Sequence, residues 1–346
     1  MKLLKKLCET PAIPGREQAV IDIMVSELKK TTDKVTVDVT GNVIGFKKGN
    51  KKKAKKIMIA GHMDEIGFVV SHIDDKGFIR FAHRGGHVPR VLISQRVKII
   101  GKKEIIGVVE GAPPFISDKP EDRKKAPDLN KLFISTGLEK KELEKTVQIG
   151  DIVVLDRGFM VQGNICISKA LDNRIGCYAV IETMKRLKNT NLDVDVYAVG
   201  TTQEEVGVRG SLGAGVNIEP DIGIAVDVTA AFDTPGVEDH MKITALGKGV
   251  AIKINDQGSI SNHGIVDFFK KLAKKNKIDY QLEILPFGGT DAAGIQRSGK
   301  SAVGTLSIPT RFVHSPNEMF HRNDLEAAIK LLVEFIKESA KCKLSF

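Results

Sequence analysis

The sequence predicts an α/β fold in which a mixed sheet is sandwiched by helices and a small β-barrel is inserted into the chain. Helix-like and strand-like segments alternate from about residue 169 to the C-terminus, which indicates a mixed or parallel sheet covered on both faces. Residues 68–159 instead hold short β-type segments between Gly, Pro and charged turns, a pattern typical of small all-β units. We therefore expect a discontinuous α/β domain, residues 1–67 and 162–346, interrupted by a β-rich domain, residues 68–161.

Individual elements of the α/β part can be predicted on both sides of the β-rich segment. Apolar residues at helical spacing fill the first thirty residues, and the apolar run 57–60 predicts a buried strand that ends at Gly61. Alternation and apolar runs predict strands over 194–199, 222–226 and 301–308, and helical spacing predicts helices over 175–187 and 325–336. The polar stretch 117–131 is expected to be a mobile loop.

Composition excludes some classes of protein. Hydrophobic residues make up 42% and charged residues 28% of the 346, which is typical of a globular chain with a full core. No apolar run approaches the roughly 18–20 residues that span a bilayer, so we expect no membrane partner. The four cysteines lie far apart without a C-x-x-C pair, which favours the reducing cytoplasm over a disulfide-stabilised protein.

The net charge of +10 has two interpretations. Clustered Lys and Arg can bind nucleic acid, but the sequence has no Trp and few other aromatic residues on which single-stranded bases could stack. The densest basic run, residues 47–56, surrounds Gly49 and Asn50 and resembles an exposed hairpin turn. A lysine-rich solvated surface is the simpler interpretation, and we expect no nucleic-acid partner.

Candidate metal ligands follow the predicted strands or begin a predicted helix. They are His62 after strand 57–60, Asp172 before helix 175–187, Glu204 and Glu205 after strand 194–199, Asp227 at the end of strand 222–226, and His314 after strand 301–308. The carboxyl ends of strands in an open α/β sheet share one crevice, so these side chains can meet there.

These residue types suit a site for two divalent cations. Imidazoles and carboxylates bind Zn, Co or Mn, and a bridging carboxylate can hold two ions roughly 3.5–4 Å apart. Such a pair activates a water, and a nearby base must take its proton and return it to the leaving amine. In the pair Glu204 and Glu205, one carboxylate can bind metal while the other stays free. Asp64, on the same face of an extended chain as His62, could accept a hydrogen bond from the imidazole and orient it.

Each motif also has a structural interpretation. A lone His-x-Asp is more often polar surface, and a Glu-Glu pair in a loop is usually solvated. Asp172 could cap the helix that follows it, and Asp227 could end its strand for local turn reasons. Their joint occurrence at strand ends favours function, so the residues alone predict a metallohydrolase.

Several motifs together resemble the tetrahedral (TET) aminopeptidases over nearly the whole chain. They are GHMDEIGF, SKALDNRIGC, TTQEEVGVRGSLGA, the strand ending in Asp227, FGGTDAAGIQ, SIPTRFVHSPNEM and the N-terminal LCETPAIPGRE. The family includes glutamyl, leucyl and deblocking enzymes, and some members carry an "endoglucanase" label.

The resemblance implies a role for each candidate residue. Asp172 would bridge two metal ions, Zn or Co with Mn as a further option. His62 and Asp227 would complete one site, Glu205 and His314 the other. Glu204 would be the general base, and Asp64 would support His62.

The resemblance also implies an assembly. Residues 68–161 would form a dimerisation domain, and dimers would associate into a hollow tetrahedral dodecamer that admits short peptides. Two alternatives stay open at this point: a metal-independent glycoside hydrolase that uses paired carboxylates, and a basic scaffold that binds nucleic acid.

Overall fold

The computed structural model describes residues 1–111 and 126–345, which form a large sheet layered with helices and a separate barrel. In chain order the strands are β1 (Lys34–Val37), β2 (Val43–Lys47), β3 (Lys55–His62), β4 (Gly67–Ile73), β5 (Ile79–Arg84), β6 (Arg96–Ile100), β7 (Glu104–Glu110), β8 (Phe133–Ser135), β9 (Ile152–Leu155), β10 (Met160–Gln162), β11 (Ile165–Ser168), β12 (Val194–Thr201), β13 (Ile222–Ala230), β14 (Val250–Asn255), β15 (Tyr280–Ile284), β16 (Ala302–Arg311) and β17 (Glu318–His321). The helices are α1 (Lys2–Glu9), α2 (Gln18–Leu28), α3 (Lys140–Leu143), α4 (Leu171–Leu187), α5 (Arg209–Ile218), α6 (His263–Lys275), α7 (Asp291–Arg297) and α8 (Arg322–Glu338).

The large sheet is mixed and has four parallel strands at its centre, in the order β12, β3, β13 and β16. Strand β16 pairs with β13 along one edge; along the other edge it pairs with β14 near its middle and with β17 at its end. The β12–β3 ladder continues to the pair Thr201–His62, whereas the β13–β3 ladder stops at Ala225–Ala60. Strands β3 and β13 therefore separate at their carboxyl ends, which opens a crevice.

Alternation along β3 places apolar side chains on both faces of the sheet. Ile57 and Ile59 belong to one buried cluster with residues of α4 and α8, whereas Met58 and Ala60 belong to another with residues of α5 and α7. A strand buried on both faces is expected for the centre of a sheet covered by helices, because each helix contributes one apolar side. The predicted mixed sheet between helices is confirmed.

The predicted barrel is also confirmed. Strands β4, β5, β8, β7, β6 and β9 close into a ring with antiparallel pairing and their own buried core, which includes Phe68, Val97 and Ile134. Closure leaves no free edge along the ring that the described strands form. The barrel strands end at Leu155, and Met160–Gln162 already pairs within the large sheet, so the strand pairing changes a few residues before the predicted boundary at 161/162. Of the stretch predicted to be a loop, 117–125 lies outside the described residues and Leu129–Lys131 forms a short 3₁₀ turn.

Membrane insertion was not expected, and in the parts of the chain that the structure describes no helix is long and apolar enough to cross a bilayer.

Gly61 lets β3 and α4 approach closely beside the crevice. A Cβ at this position would lie 2.7 Å from the carbonyl carbon of Gly176 and 2.9 Å from the nitrogen of Cys177, both backbone atoms. We expect Gly61→Ala to lower the free energy of unfolding by about 1–3 kcal/mol, as overpacked cores do. Equilibrium denaturant unfolding measures this change.

Gly213 of α5 provides a matched control, since a Cβ there meets nothing within 4 Å. Gly213→Ala should stabilise by about 0.5–1 kcal/mol through helix propensity. Equal effects of the two substitutions would contradict the close-packing account.

Candidate active site

The side chains predicted to bind metal, together with Glu204, converge at the carboxyl ends of the central parallel strands. His62 ends β3, Glu204 and Glu205 follow β12, Asp227 lies in β13, His314 follows β16, and Asp172 lies in the first turn of α4. We call these six residues the donor cluster. One positional prediction was wrong: Asp227 does not close its strand, because pairing with β16 carries β13 on to Ala230.

Asp172 lies at the centre of the donor cluster. Its Oδ1 is 3.1 Å from Nε2 of His62, and its Oδ2 is 3.3 Å from Nε2 of His314. Each oxygen of one carboxylate therefore faces a different imidazole. It does not cap the helix: both of its oxygens face imidazoles, and the side chain that accepts from the first turn is that of Asn173.

Asn173 fixes the backbone next to Asp172. Its Nδ2 donates to the carbonyl of Val226, 2.8 Å away in β13, and its Oδ1 accepts from the backbone nitrogen of Gly176 at 2.9 Å. The peptide bond between Asp172 and Asn173 is cis. The hydrogen bond to Val226 attaches the start of α4 to the strand that carries Asp227.

The other members of the donor cluster divide into two groups around Asp172. Glu205 Oε2 is 3.4 Å from Nε2 of His314. Glu204 Oε2 and Asp227 Oδ1 are 3.8 and 3.9 Å from Nε2 of His62. All six side chains are brought together, while their individual roles stay predictions.

Burial and crowding of like charges shift the pKa values of the carboxyl groups. Burial, with the charges of Glu205 and Asp227 adding to it, raises the pKa of Glu204 well above its usual value. Burial likewise raises the pKa of Asp227 and of Glu205. Burial alone would raise the pKa of Asp172, but hydrogen bonds from His314 and His62 hold it well below its usual value.

The pKa values of the two imidazoles are raised, because the surrounding carboxylates outweigh the effect of burial. Burial would lower the pKa of His314, but the charge of Glu205 and hydrogen bonds to Asp172 and Glu205 raise it to about 12. The pKa of His62 is also raised, against the effect of burial, by Asp172 and the neighbouring carboxylates. Four carboxyl groups that surround two imidazoles make a site in which positive charge is stabilised.

Divalent cations fit this donor set. His62, Asp172 and Glu205 offer ligand atoms that all lie within 4.8 Å of one another. Among the described residues, Oε1 of Glu205 is buried without a hydrogen-bond partner, as expected for an oxygen reserved for a ligand. Nitrogen and carboxylate donors in this mixture suit Zn, Co or Mn.

Asp64 supports the donor cluster in a different way from the one predicted. Nδ1 of His62 lies 3.1 Å from the main-chain oxygen of Asp64 but 3.7 Å from its carboxylate. The carboxylate instead accepts from the backbone nitrogens of Glu204 and Glu205, both at 3.1 Å. The predicted side-chain hydrogen bond was wrong because β3 ends at His62, so the alternation of an extended chain no longer applies at Asp64.

Glu318 is a buried residue of the site that sequence reasoning missed. Its Oε2 accepts from the backbone nitrogen of Asp172 at 3.0 Å, and its Oε1 accepts from that of His314 at 2.9 Å. Burial, with the charge of Asp172 adding to it, raises the pKa of Glu318 to about 8. The quoted motif SIPTRFVHSPNEM contains Glu318, but nothing in its spacing indicated this role.

A cavity of about 640 Å³ opens beside the donor cluster. Its walls come from the ends of β13 and β16, from the segment after β15, and from Gly86 and Val88 after β5. It is large enough for a small peptide end and buries polar groups beside apolar ones, as ligand sites do.

A donor cluster of this kind at the end of a mixed sheet is typical of metal-dependent hydrolases. The chain belongs to the M42 glutamyl aminopeptidase family, whose model matches residues 41–331. It is therefore an aminopeptidase, and the expected activity class is confirmed.

Individual relatives agree with this assignment. The chain is similar to aminopeptidase APDkam598 from Desulfurococcus kamchatkensis, with 41% identity, 97% of this chain and 94% of that chain covered, and a TM-score of 0.93. It is 36% identical to lysyl aminopeptidase from Pyrococcus furiosus, over 97% of this chain and 96% of the relative. It is also similar to the Pyrococcus horikoshii TET1 peptidase, which can assemble into a tetrahedron or a large octahedral shell, with 32% identity, 97% and 99% covered, and a TM-score of 0.86.

Glu318 is expected to matter for metal binding because it holds the backbone of two donor residues. Glu318→Ala should weaken binding of Zn or Co by about 10–100-fold, the usual effect of losing a residue that orients ligands. Glu318→Gln keeps one acceptor oxygen, so its affinity for the cations should lie between those of the wild type and Glu318→Ala. Calorimetric titration of metal-stripped protein measures the affinities.

The exposed Glu142 of the barrel serves as a control, and Glu142→Ala should bind cations as the wild type does. Wild-type affinity in Glu318→Ala would contradict the role of Glu318.

Proposed function

We propose that this aminopeptidase is metal-dependent and removes the N-terminal residue from short peptides with two divalent cations. The observation that carries the proposal is the placement of Asp172, whose two carboxylate oxygens lie 3.1 and 3.3 Å from different imidazoles. A carboxylate in that position is suited to bridge two cations.

The donor residues would divide between the cations as the distances suggest. His62 and Asp227 would hold one ion and Glu205 and His314 the other, with Asp172 shared. Zn or Co is proposed, with Mn as a further option, because availability decides among ions that accept the same donors. The chemistry such cations supply when bound is polarisation of the scissile carbonyl and acidification of water.

Glu204 is proposed as the general base. Its side chain is 12% exposed and lies beside His62, and the carboxylate of Asp64 accepts from its backbone nitrogen at 3.1 Å, which fixes the backbone that carries the side chain. A carboxyl whose pKa is raised by burial can take a proton from the attacking water and return it to the leaving amine. Asp64 would orient both His62 and this turn.

Replacing Glu204 should separate metal binding from hydrolysis. Glu204→Gln should keep bound metal and lose about 10²–10⁴-fold in kcat, since a neutral amide cannot accept the proton. Elemental analysis and the hydrolysis of aminoacyl amides measure the two properties on one sample.

Asp172→Ala is the matched comparison, because removing the shared carboxylate should deplete both cations. Near-wild-type turnover in Glu204→Gln would refute the assignment of the base, and full occupancy of two cations in Asp172→Ala would refute the bridge. Cellulose hydrolysis that survives chelation would support the glycoside alternative, which the family assignment disfavours.

We also propose that the chain forms a tetrahedral dodecamer from dimers, with residues 68–161 as the dimerisation domain and residues 1–67 and 162–346 as the catalytic domain. Support comes from the TET1 relative that assembles into a tetrahedron, and from the barrel's separate core. The cytoplasm is the proposed location, in keeping with four buried, unpaired cysteines. Peptides, and neither nucleic acid nor membranes, are the proposed partners.

Light scattering on the purified protein tests the assembly. We expect the mass of about twelve chains, as in the solved structure of a similar protein, PhTET1-12s, which is a dodecamer. The mass should not change on dilution across the micromolar range if the assembly is specific. A mass of one or two chains at all concentrations would contradict the proposed assembly.

A further inference from the structure

The cavity also has an apolar wall. Phe232, Phe287 and Phe312 come from three separate segments, and their side chains are 38%, 47% and 57% exposed. The rings of Phe232 and Phe287 have centroids 6.4 Å apart. Exposed aromatic groups gathered beside a polar site mark a surface that a ligand covers.

Smaller and more buried apolar residues also line the cavity. Leu285 and Val228 are each 7% exposed and line the same cavity, as do Ala231 and Val313. A side chain that enters the cavity between them would exchange water for apolar contact, which is favourable for apolar groups only.

Along the described lining of the cavity, charged side chains occur in two places. Among the described residues that line it, Arg311 is the one charged side chain outside the donor cluster. Its Nε donates to Oδ1 of Asp233 at 2.7 Å, so the carboxylate already balances the guanidinium. An acidic substrate side chain would find no unbalanced cation on this wall, and a basic one would find no carboxylate outside the donor cluster.

A further carboxylate lies behind the wall but does not reach the cavity. Glu283 is fully buried, accepts from the hydroxyl of Thr229 at 2.6 Å, and pairs with Nζ of Lys253 at 3.2 Å. Asp256 lies 3.1 Å from the same Nζ, so the group carries one negative charge in excess. This negative charge would attract a lysyl side chain, so preference for a lysyl substrate is the chief competing outcome.

We infer that the wall of Phe232, Leu285, Phe287 and Phe312 holds the side chain of the substrate's N-terminal residue, and that the enzyme prefers peptides beginning with large apolar residues such as Leu, Met or Phe. The inference rests on the proposed function and specifies its substrate class. It separates this chain from a relative named for lysine.

A panel of aminoacyl amides with the metal-loaded enzyme tests the preference. The two informative pairs are methionyl against lysyl, which have similar length, and glutaminyl against glutamyl, which have the same shape. In each pair kcat/KM for the uncharged member should be higher by at least about tenfold, because the wall offers a charge no partner. Leucyl and phenylalanyl amides should rank with methionyl.

The outcomes distinguish this inference from the proposed function. Faster cleavage of lysyl or glutamyl amide than of its uncharged partner overturns the inference and leaves the aminopeptidase intact. If lysyl is faster, Glu283→Gln shows whether the buried carboxylate is responsible. Cleavage of no amide by protein that holds its cations overturns the proposed function as well.

Substitution at the wall tests its position. Phe287→Ala should raise KM for leucyl and phenylalanyl amides about tenfold with a smaller change in kcat, as loss of a contact made equally in ground and transition states does. Phe287→Asp should shift the ratio of lysyl to methionyl kcat/KM toward lysyl by about tenfold, since it adds the missing carboxylate.

Phe133→Ala in the barrel is the matched control. It should change neither KM for leucyl and phenylalanyl amides nor the lysyl to methionyl ratio of kcat/KM. Because Phe287 is half exposed, folding should survive, and Phe232→Ala provides a second variant. A lysyl to methionyl ratio unchanged in Phe287→Asp, together with unchanged KM in both alanine variants, would overturn the inference.

Discussion

The contact on which the site depends is that of one buried carboxylate with two imidazoles. Asp172 reaches His62 from β3 and His314 from the segment after β16, and these strands are separated in the sheet by β13. Such a contact requires the carboxyl ends of β3, β13 and β16 to keep fixed positions relative to one another. The sheet supplies this: β3 and β13 part only after Ala60 and Ala225, so the crevice opens where the donor cluster begins.

Two further carboxylates fix the backbone positions of residues in the donor cluster. Asp64 holds the backbone nitrogens of Glu204 and Glu205, and Glu318 holds those of Asp172 and His314. Glu318 therefore joins two donor-bearing segments that are remote in sequence, and Asp64 joins the turn of Glu204 and Glu205 to the segment that follows His62. These hydrogen bonds satisfy buried backbone nitrogens, and they leave the donor side chains free to face the cleft.

Much of the fold and the identity of the donor residues could be predicted, because both follow from local pattern. Strand 57–60 is an apolar run, and His62 lies two residues past it; Glu204, Glu205 and His314 follow their predicted strands within six residues. The roles of Asp64 and Glu318 could not be predicted, since they act through loops whose course no periodicity specifies. The extension of β13 past Asp227 depends on pairing with β16, a contact between distant segments. Substrate preference lies still further from the sequence, because Phe232, Phe287 and Phe312 meet only in the folded chain.

The place at which the barrel leaves the sheet has a consequence for how the enzyme can evolve. Strand β4 begins five residues after His62, and Gly86 and Val88 of the barrel segment reach back to line the cavity, with Gly86 next to the ring of His314. Residues of the large sheet and of the barrel segment therefore both line the cleft. Substitutions in this segment of the barrel would therefore change the cleft as well as the barrel, and a descendant without the barrel would lose one side of its cleft.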